Sequence, residues 1–258
     1  MLIMLLKNQL KEKLLQGKPV IGSWIMTCGL ENAEIMARAG LDYLMIDCEH
    51  GCMDVETAGR MVSLIRPTQT APLLRVEWNH IATIKRGLDT GAYGIMIPFV
   101  NTKEEAEQAV SYCKYPLRGL RGNGLGRATT FGIDMEYMDV ADKEVLVILQ
   151  IEHYNAVENI HEILSVPGID VAFVGPADMS TSMGIAGQLD HPDVIANCKV
   201  VVEACRQYNV IPGILCGTPG SIKRNLEMGY SFLLSGMDSM MLYTGCRQLL
   251  NEFQSFSE

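Results

Sequence analysis

Residues 145–152 read Val-Leu-Val-Ile-Leu-Gln-Ile-Glu, an apolar run that ends in an amide and a carboxylate. A strand with one face in water alternates apolar and polar residues, whereas a strand covered on both faces is apolar almost throughout. This stretch therefore predicts a buried strand of a parallel sheet, with polar groups only at its carboxyl end.

Similar apolar runs recur along the chain, and each is followed by a segment with helical spacing, which is the pattern of repeated βα units. The predicted strands cover residues 20–24, 43–47, 72–75, 94–98, 145–151, 171–175, 210–215 and 232–235. The predicted helices lie near 31–39, 54–65, 80–90, 102–113, 155–164, 193–208, 219–228 and 238–254, and Asp54 and Thr102 are the expected N-caps of two of them. Eight strands are the number that a closed barrel needs, so we predict one (β/α)8 TIM barrel. No linker divides the chain, and we expect a single domain over residues 1–258.

The segment from Tyr115 to about Ala141 does not fit this repeat, and its glycines predict a long loop after the fourth barrel helix. It is not a dinucleotide-binding motif, because Gly122 and Gly124 are followed by Arg127 where a third glycine is required. We interpret it as a mobile rim or a loop in contact with another subunit, with a phosphate cradle as the alternative.

Composition and charge limit the classes of partner. The chain has a net charge of -9, and nucleic-acid binding needs a concentrated positive surface. No stretch reaches the roughly 20 apolar residues that cross a bilayer. The apolar run 1–6 precedes its lysines, which is the wrong order for a secretory signal. We expect a cytoplasmic protein with a small-molecule ligand and no nucleic-acid or membrane partner.

The eight cysteines are scattered through a chain that is 48% hydrophobic, so we expect reduced core thiols instead of disulfides. Cys48 and Cys52 flank His50, but no second Cys/His pair completes the four ligands of a zinc site.

Polar and aromatic residues close several of the predicted strands. In a (β/α)8 barrel the strand ends meet at the carboxyl-terminal face, where the chemistry lies. The strand ends carry Trp24, Asp47 with Glu49 and His50 just after it, Arg75, Gln150 with Glu152, and Gly175 with Ala177 and Asp178. Taken singly, Asp47 could cap a helix and Arg75 could form a structural ion pair. Taken together, these residues predict one active site.

Glu152 and Asp178 form half of an oxygen-rich shell that a hard divalent ion such as magnesium, manganese or cobalt would complete with waters and substrate oxygens. The alternative is a glycosidase-like pair of carboxylates, which a 7% aromatic share makes less favourable. His50 is placed to act as a general base near neutral pH. The lysines all fall in helices, in loops or at strand beginnings, so a Schiff-base mechanism is not favoured.

Five ordered motifs make the chain resemble the HpcH/HpaI aldolase family, the class II pyruvate aldolases that act on 4-hydroxy-2-oxo acids such as 2-keto-3-deoxy sugar acids. They are Asp47-x-Glu49-His50-Gly51, Arg75 with Trp78-Asn79, Pro116-x-x-Gly119-x-Arg121-Gly122, Gln150-Ile151-Glu152, and Gly175-Pro176-Ala177-Asp178-Met179-Ser180. The resemblance runs from Gly22 to the final helix and implies cleavage of such an acid, for example 2,4-dihydroxyhept-2-enedioate, into pyruvate and an aldehyde.

The resemblance also implies a role for each matching residue. Glu152 and Asp178 would ligate the metal, Arg75 would bind the oxygen that becomes the enolate, and His50, oriented by Asp47, would act as the base. Gln150 would steady the site, the backbone at Gly175 and Ala177 would receive the pyruvate carboxylate, and Trp24 and Leu215 would line the pocket. Asp89 would come from a neighbouring subunit of a homo-hexamer in which the last helix is exchanged between partners.

The chain departs from the family pattern at His80, where Asp is common, and at Cys48 and Cys52, which affects the expected aldehyde specificity. One rival is a CoA-thioester lyase of the malyl-CoA and citrate-lyase β type, for which Arg118, Arg121 and Arg127 would supply charge. The others are a phosphoenolpyruvate mutase-like isomerase and a pyruvate-binding protein without catalysis.

Overall fold

The computed structural model describes residues 7–217 and 219–256, which form a closed barrel of eight parallel strands in the order β1 to β8. The strands are β1 Val20–Ile25, β2 Tyr43–Asp47, β3 Ala71–Arg75, β4 Gly94–Ile97, β5 Leu146–Ile151, β6 Val171–Val174, β7 Ile211–Cys216 and β8 Phe232–Met237. The (β/α)8 prediction is confirmed, and each predicted strand is present with its ends shifted by two residues at most.

The helices surround the barrel. They are α1 Gln9–Leu15, α2 Leu30–Ala37, α3 Val55–Ile65, α4 Ile81–Asp89, α5 Lys103–Cys113, α6 Tyr137–Glu144, α7 Tyr154–Glu158, α8 Ile160–Leu164, α9 Pro176–Ser182, α10 Pro192–Tyr208, α11 Pro219–Met228 and α12 Asp238–Ser255. Asp54 caps α3 and Thr102 caps α5, as predicted, because each side chain accepts a hydrogen bond from a first-turn amide. Within the described ranges, no helix combines the length and the apolar character that membrane crossing needs.

The side chains of each strand divide between two cores. On β5, Leu146 and Ile148 pack inside the barrel, whereas Val147 and Leu149 pack against the surrounding helices. Successive side chains of a strand point to opposite faces, so this division follows directly from strand geometry. Both faces are apolar because neither meets water, which is why the strand sequences show no alternation.

The barrel interior is filled at its amino-terminal end by large side chains. Tyr43 and Phe232 stack with ring centroids 4.4 Å apart. Gly22 makes room for this pair, since a Cβ there would meet the Tyr43 ring at 2.5 Å. Leu10 and Leu14 of α1 belong to the same interior cluster and cover that end of the barrel.

Three features differ from the predicted element pattern. The segment 115–141 is not a loop throughout, because it contains a 3-10 helix, Arg127–Gly132, and the start of α6. The helix predicted near 155–164 is split into α7 and α8 at Asn159. The short helices α1 and α9 were not predicted, because seven residues show little periodicity. The apolar run 1–6 lies outside the described residues.

Candidate active site

The alternation of inward and outward side chains decides which polar groups reach the carboxyl-terminal rim. On β5, Gln150 and Glu152 continue the inward positions of Leu146 and Ile148. On β3, Arg75 continues the inward position of Leu73. Arg75, Gln150 and Glu152 therefore reach the rim as polar side chains above the inward apolar residues of their strands, and all three are buried.

Arg75 is held in a fixed orientation by two carboxylates and a ring. Its Nε and Nη2 donate to the two oxygens of Asp47 at 2.8 and 2.6 Å. Its Nη1 lies 2.9 Å from Glu49 Oε2, and its guanidinium carbon lies 4.2 Å from the centroid of Trp24. The ion pair considered for Arg75 is therefore present. These contacts do not use every N–H of the guanidinium, so donors stay available for a substrate oxygen.

Glu152 lies at the centre of an acidic group. Its Oε1 accepts from the Phe99 amide at 2.9 Å, and its Oε2 accepts from Gln150 Nε2. Burial first, and then the charges of Glu49 and Asp178, raise the pKa of Glu152 to about 7. The three carboxylates are thus near enough to destabilise one another's negative charge.

Asp178 stands in the first turn of α9, directly after β6. Gly175 precedes this helix and Pro176 occupies its first position, so the Ala177 and Asp178 amides belong to a turn whose N–H groups lack partners within the helix. Both residues are exposed, unlike buried Glu152. The metal-ligand pair of the sequence analysis thus combines one buried and one open carboxylate.

His50 lies at the open edge of the same rim, with 64% of its side chain exposed and its Nε2 4.0 Å from Glu49 Oε1. Asp47 was expected to orient the imidazole, but its Oδ1 accepts from the backbone amides of Glu49 and His50, at 3.0 and 3.3 Å. Asp47 therefore shapes the loop that carries His50 and anchors Arg75.

The chemistry of this group suits a divalent cation. Negative charge accumulates on Glu49, Glu152 and Asp178, and Arg75 is the cation that contacts one of them. Gln150 Oε1 is buried without a hydrogen-bond partner. Among the described residues no cluster of three or more His, Cys, Asp or Glu has the geometry of a complete metal site. Two carboxylates that leave further positions to water and substrate are the usual way of holding such an ion beside a reaction.

Two further predicted site residues are Leu215 and Asp89. Leu215 is on β7 and packs against the interior cluster that contains Trp24. Asp89 ends α4, so it lies at the opposite end of the barrel, where Arg121 Nη2 approaches its Oδ1 at 3.4 Å. Within one chain Asp89 cannot join Glu152, because helices of this fold run antiparallel to the strands.

The glycine-rich segment after α5 lies at that same far end. Arg121 is fully buried between the rings of Tyr115 and Tyr137 and pairs with Asp89. A buried, paired guanidinium does not suit the diphosphate role that the CoA-thioester alternative requires. The segment instead exposes a set of apolar side chains, which favours a subunit contact. They are Leu117, Leu120, Leu125, Phe131 and Ile133.

Glu49 was not assigned to the acidic group by the sequence analysis, and three histidines that cap helices were not identified. Glu49 was noted only as a neighbour of His50, although its inward position, two residues after Asp47, could have indicated that it joins the acidic group. His80, His153 and His191 are helix N-caps, each accepting a hydrogen bond through Nδ1. His80 therefore retains the capping capacity of the Asp common at this position in the family that the chain resembles.

Five of the eight cysteines are buried and three are exposed, so the expectation of core thiols holds for only part of the set. Cys48 is buried, and burial raises the pKa of its thiol to about 12, whereas Cys52 is exposed. All eight are free, so neither a disulfide nor a zinc site is formed by the described residues. The buried lysine Lys114 is the C-cap of α5 and lies outside the barrel.

The comparisons with known proteins cover nearly the whole chain. The HpcH/HpaI aldolase/citrate lyase family model matches residues 21–244. A 4-hydroxy-2-oxo-heptane-1,7-dioate aldolase from Salmonella typhimurium is 38% identical over 250 residues, or 96% of this chain and 95% of that protein. The crystal structure of an HpcH/HpaI aldolase/citrate lyase family protein from Burkholderia cenocepacia superposes with a TM-score of 0.92 at 34% identity, covering 96% of this chain and 100% of that one. The crystal structure of an HpcH/HpaI aldolase from Desulfitobacterium hafniense superposes with a TM-score of 0.87 at 31% identity, covering 95% of this chain and 96% of that one.

Proposed function

The chain belongs to the HpcH/HpaI aldolase/citrate lyase family, and we propose that it is an aldolase, a carbon–carbon lyase, which reversibly cleaves a 4-hydroxy-2-oxo acid into pyruvate and an aldehyde. Relatives named as aldolases of such an acid support this substrate class. The observation that carries the proposal is the meeting of Arg75 with three carboxylates, Glu49, Glu152 and Asp178, on one rim. Pyruvate and a small aldehyde would be its partners, in the cytoplasm.

The family implies a divalent metal, and we assign its protein ligands to Glu152 and Asp178, with magnesium, manganese or cobalt as the ion. When bound, this ion would act as a Lewis acid toward the carboxylate and keto oxygens of the substrate. Gln150 would keep the Glu152 carboxylate in place through its hydrogen bond to Oε2. The first-turn amides of α9 at Ala177, after Gly175, would receive the pyruvate carboxylate.

The residues of the rim account for the proton and charge movements of cleavage. His50 would take the proton of the 4-hydroxyl group, and the C3–C4 bond would break as the aldehyde carbonyl forms. The electron pair of that bond would move into an enolate of pyruvate. Arg75 would stabilise the enolate oxygen with its free N–H donors, in an orientation preset by Asp47 and by the Trp24 ring. Leu215 would line the pocket beside Trp24.

We further propose that the protein works as a homo-oligomer, a hexamer in which α12 packs against a neighbouring subunit. Every residue from Met240 to Phe256 is exposed, and several of them are large and apolar. Exposed apolar surface of this extent is typical of subunit interfaces. Asp89 lies too far from the rim of its own barrel, so it would serve the site only from another subunit. Light scattering coupled to gel filtration measures the assembly, and a monomer would contradict this part of the proposal.

A coupled assay for pyruvate release tests the function. A panel of 4-hydroxy-2-oxo acids is supplied with chelator, and then with added magnesium, manganese or cobalt. We expect release that the chelator stops and metal restores. Asp178→Ala should abolish both activity and the response to metal, whereas Asp193→Ala, which removes an exposed first-turn carboxylate of α10, should change neither. No pyruvate release with any metal would overturn the proposal, and a normal metal response in Asp178→Ala would remove Asp178 from the ligands.

A further inference from the structure

Four rings form a continuous row on the rim, and we call this row the aromatic ledge. It consists of Trp78, Phe99, His153 and Tyr154. Trp78 and Phe99 stack with centroids 5.8 Å apart, Phe99 meets His153 edge-on at 5.7 Å, and His153 lies 5.0 Å from Tyr154. The exposed fractions of Trp78, Phe99 and Tyr154 are 54%, 41% and 43%. Rings this exposed add little to the core, so their packing against one another requires another explanation.

The ledge is joined to the proposed metal-ligand carboxylate. Its members follow the ends of three adjacent strands, β3, β4 and β5, and the neighbouring strands β2 and β6 are followed in the chain by His50 and Asp178. The Phe99 amide donates to Glu152 Oε1 at 2.9 Å, and His153 follows Glu152 directly in the chain. A molecule that reacts at this rim would therefore have the ledge beside it.

The backbone of Phe99 indicates that the ring position is specifically maintained. Its φ is 55°, in the left-handed region that bulky residues rarely adopt. Such strained conformations cluster at binding and catalytic sites, where the surrounding contacts enforce them. A glycine would satisfy this backbone and still donate to Glu152, so the backbone geometry does not account for the presence of an exposed phenyl ring at this position.

The charge of the rim indicates what the ledge can bind. The residues between the ends of β1 to β6 and the helices that follow them include no Lys or Arg. The one arginine at these strand ends, Arg75, is paired with Asp47 and Glu49, and the proposed function uses its remaining donors for the enolate oxygen. Cleavage of 4-hydroxy-2-oxo-heptane-1,7-dioate, the acid in the name of the relatives, leaves one carboxylate on pyruvate and the other on the aldehyde. These loops therefore offer no Lys or Arg for such a group.

We propose that the aromatic ledge binds the aldehyde-derived end of the substrate, and that this end is an uncharged aromatic or flat apolar group. The inference rests on the proposed aldolase function and specifies its substrate class. In the synthetic direction, a bond forms between the pyruvate methyl carbon, which loses a proton, and the aldehyde carbon, whose oxygen gains one. The ledge holds the remainder of the aldehyde by ring stacking during this step.

Two variants and one control test the ledge with pyruvate and either benzaldehyde or acetaldehyde as the acceptor. Phe99→Gly removes the ring from a backbone that glycine tolerates and keeps the amide that Glu152 needs, and Trp78→Ala removes its stacking partner. Tyr208→Ala removes an exposed aromatic ring that contacts His161 at the far end of α10. A lost ring contact lowers affinity by about two- to tenfold. We expect the ratio of kcat/KM for benzaldehyde to that for acetaldehyde to fall by this factor in both ledge variants and to stay constant in Tyr208→Ala.

A second comparison tests the charge of the acceptor on the wild-type protein. We compare 4-methylbenzaldehyde with 4-carboxybenzaldehyde, because they share the ring and differ in a charge at the far end. A carboxylate placed on the ledge without a cationic partner loses solvation that nothing replaces. We therefore expect kcat/KM for the charged compound to be lower by a factor of about ten or more. Equal values for the two compounds would refute the requirement for an uncharged group.

The outcomes separate the ledge from the aldolase proposal. Product from acetaldehyde in the wild-type protein, with an unchanged ratio in both ledge variants, would leave the aldolase function standing and overturn the ledge. An equal loss of kcat/KM with both aldehydes would mean that the rings act only through Glu152, and this result would also overturn the ledge proposal. A change of oligomeric state in Trp78→Ala, seen by gel filtration, would identify the ledge as a subunit contact instead. No product from any aldehyde in the wild-type protein would remove both proposals.

Discussion

Replacing Gly175 by alanine places one methyl group against the carboxylate that we assign to the metal. The backbone φ of −99° is open to alanine, so the substitution causes no left-handed strain. The new Cβ would lie 3.0 Å from both the Cβ and the Oε2 of Glu152, and 3.6 Å from Gln150 Nε2. The Glu152 side chain therefore has to move, whereas Gln150 Nε2 stays in ordinary contact, so the perturbation is directed at Glu152.

The size of the movement follows from these contacts. Ordinary contact begins at 3.4 Å, so Glu152 has to retreat by at least the difference from 3.0 Å, or 0.4 Å. The crowded atoms include the Cβ of Glu152, so rotation of the carboxylate alone cannot relieve the contact. Disturbing the groups that orient a metal ligand lowers metal affinity by about 10- to 100-fold. Overpacking costs about 1–3 kcal/mol of stability, which a protein stable by about 5–15 kcal/mol tolerates.

The assay compares Mn²⁺ dissociation constants for the wild-type protein, Gly175→Ala and Gly220→Ala. Gly220 lies at the start of α11 with no atom within 4 Å of an added Cβ, so it controls for the substitution itself. Circular dichroism checks that each variant is folded. A folded Gly175→Ala protein that binds Mn²⁺ within twofold of the wild-type value would refute the assignment of Glu152 as a ligand or the close packing of Gly175 against it.

Three further predictions concern other parts of the molecule. His50→Ala should reduce aldol cleavage by roughly 10²-fold or more while pyruvate binding, measured by calorimetry, is retained, and unchanged turnover would exclude His50 as the base. Thr102→Ala should lower Tm by about 2–4 °C, since it removes the N-cap of α5 at a cost of about 1 kcal/mol, and an unchanged thermal transition would contradict the cap. Iodoacetamide at pH 8 should modify exposed Cys28 and Cys52 but not Cys48, because burial raises the pKa of Cys48 to about 12 and leaves a thiolate fraction on the order of 10⁻⁴. Peptide mass mapping checks this, and rapid labelling of Cys48 would contradict its burial.

Much of the fold could be predicted because its signals are local in the chain. Each strand is a short apolar run, and on β3 and β5 the first polar residue on the inward face, Arg75 and Gln150, marks the carboxyl end. The capping oxygens of Asp54 and Thr102 act on amides three residues away, so they too could be recognised from spacing. The segment 115–141 was harder, because its short helices depend on contacts such as Tyr137 with Arg121.

The sequence by itself determined the barrel, the strand ends and the set of polar residues at the rim, because hydrophobic periodicity and strand termini involve only neighbouring positions. Tertiary structure alone decided the contacts between strands that are far apart in the chain. It directed Asp47 to Arg75 and to the amides of its own loop instead of to the His50 ring. It also brought Glu49 into the acidic group and aligned Phe99 with Trp78. Side-chain partners across a barrel depend on strand register and packing, and neither is recorded in the spacing of residues along the chain.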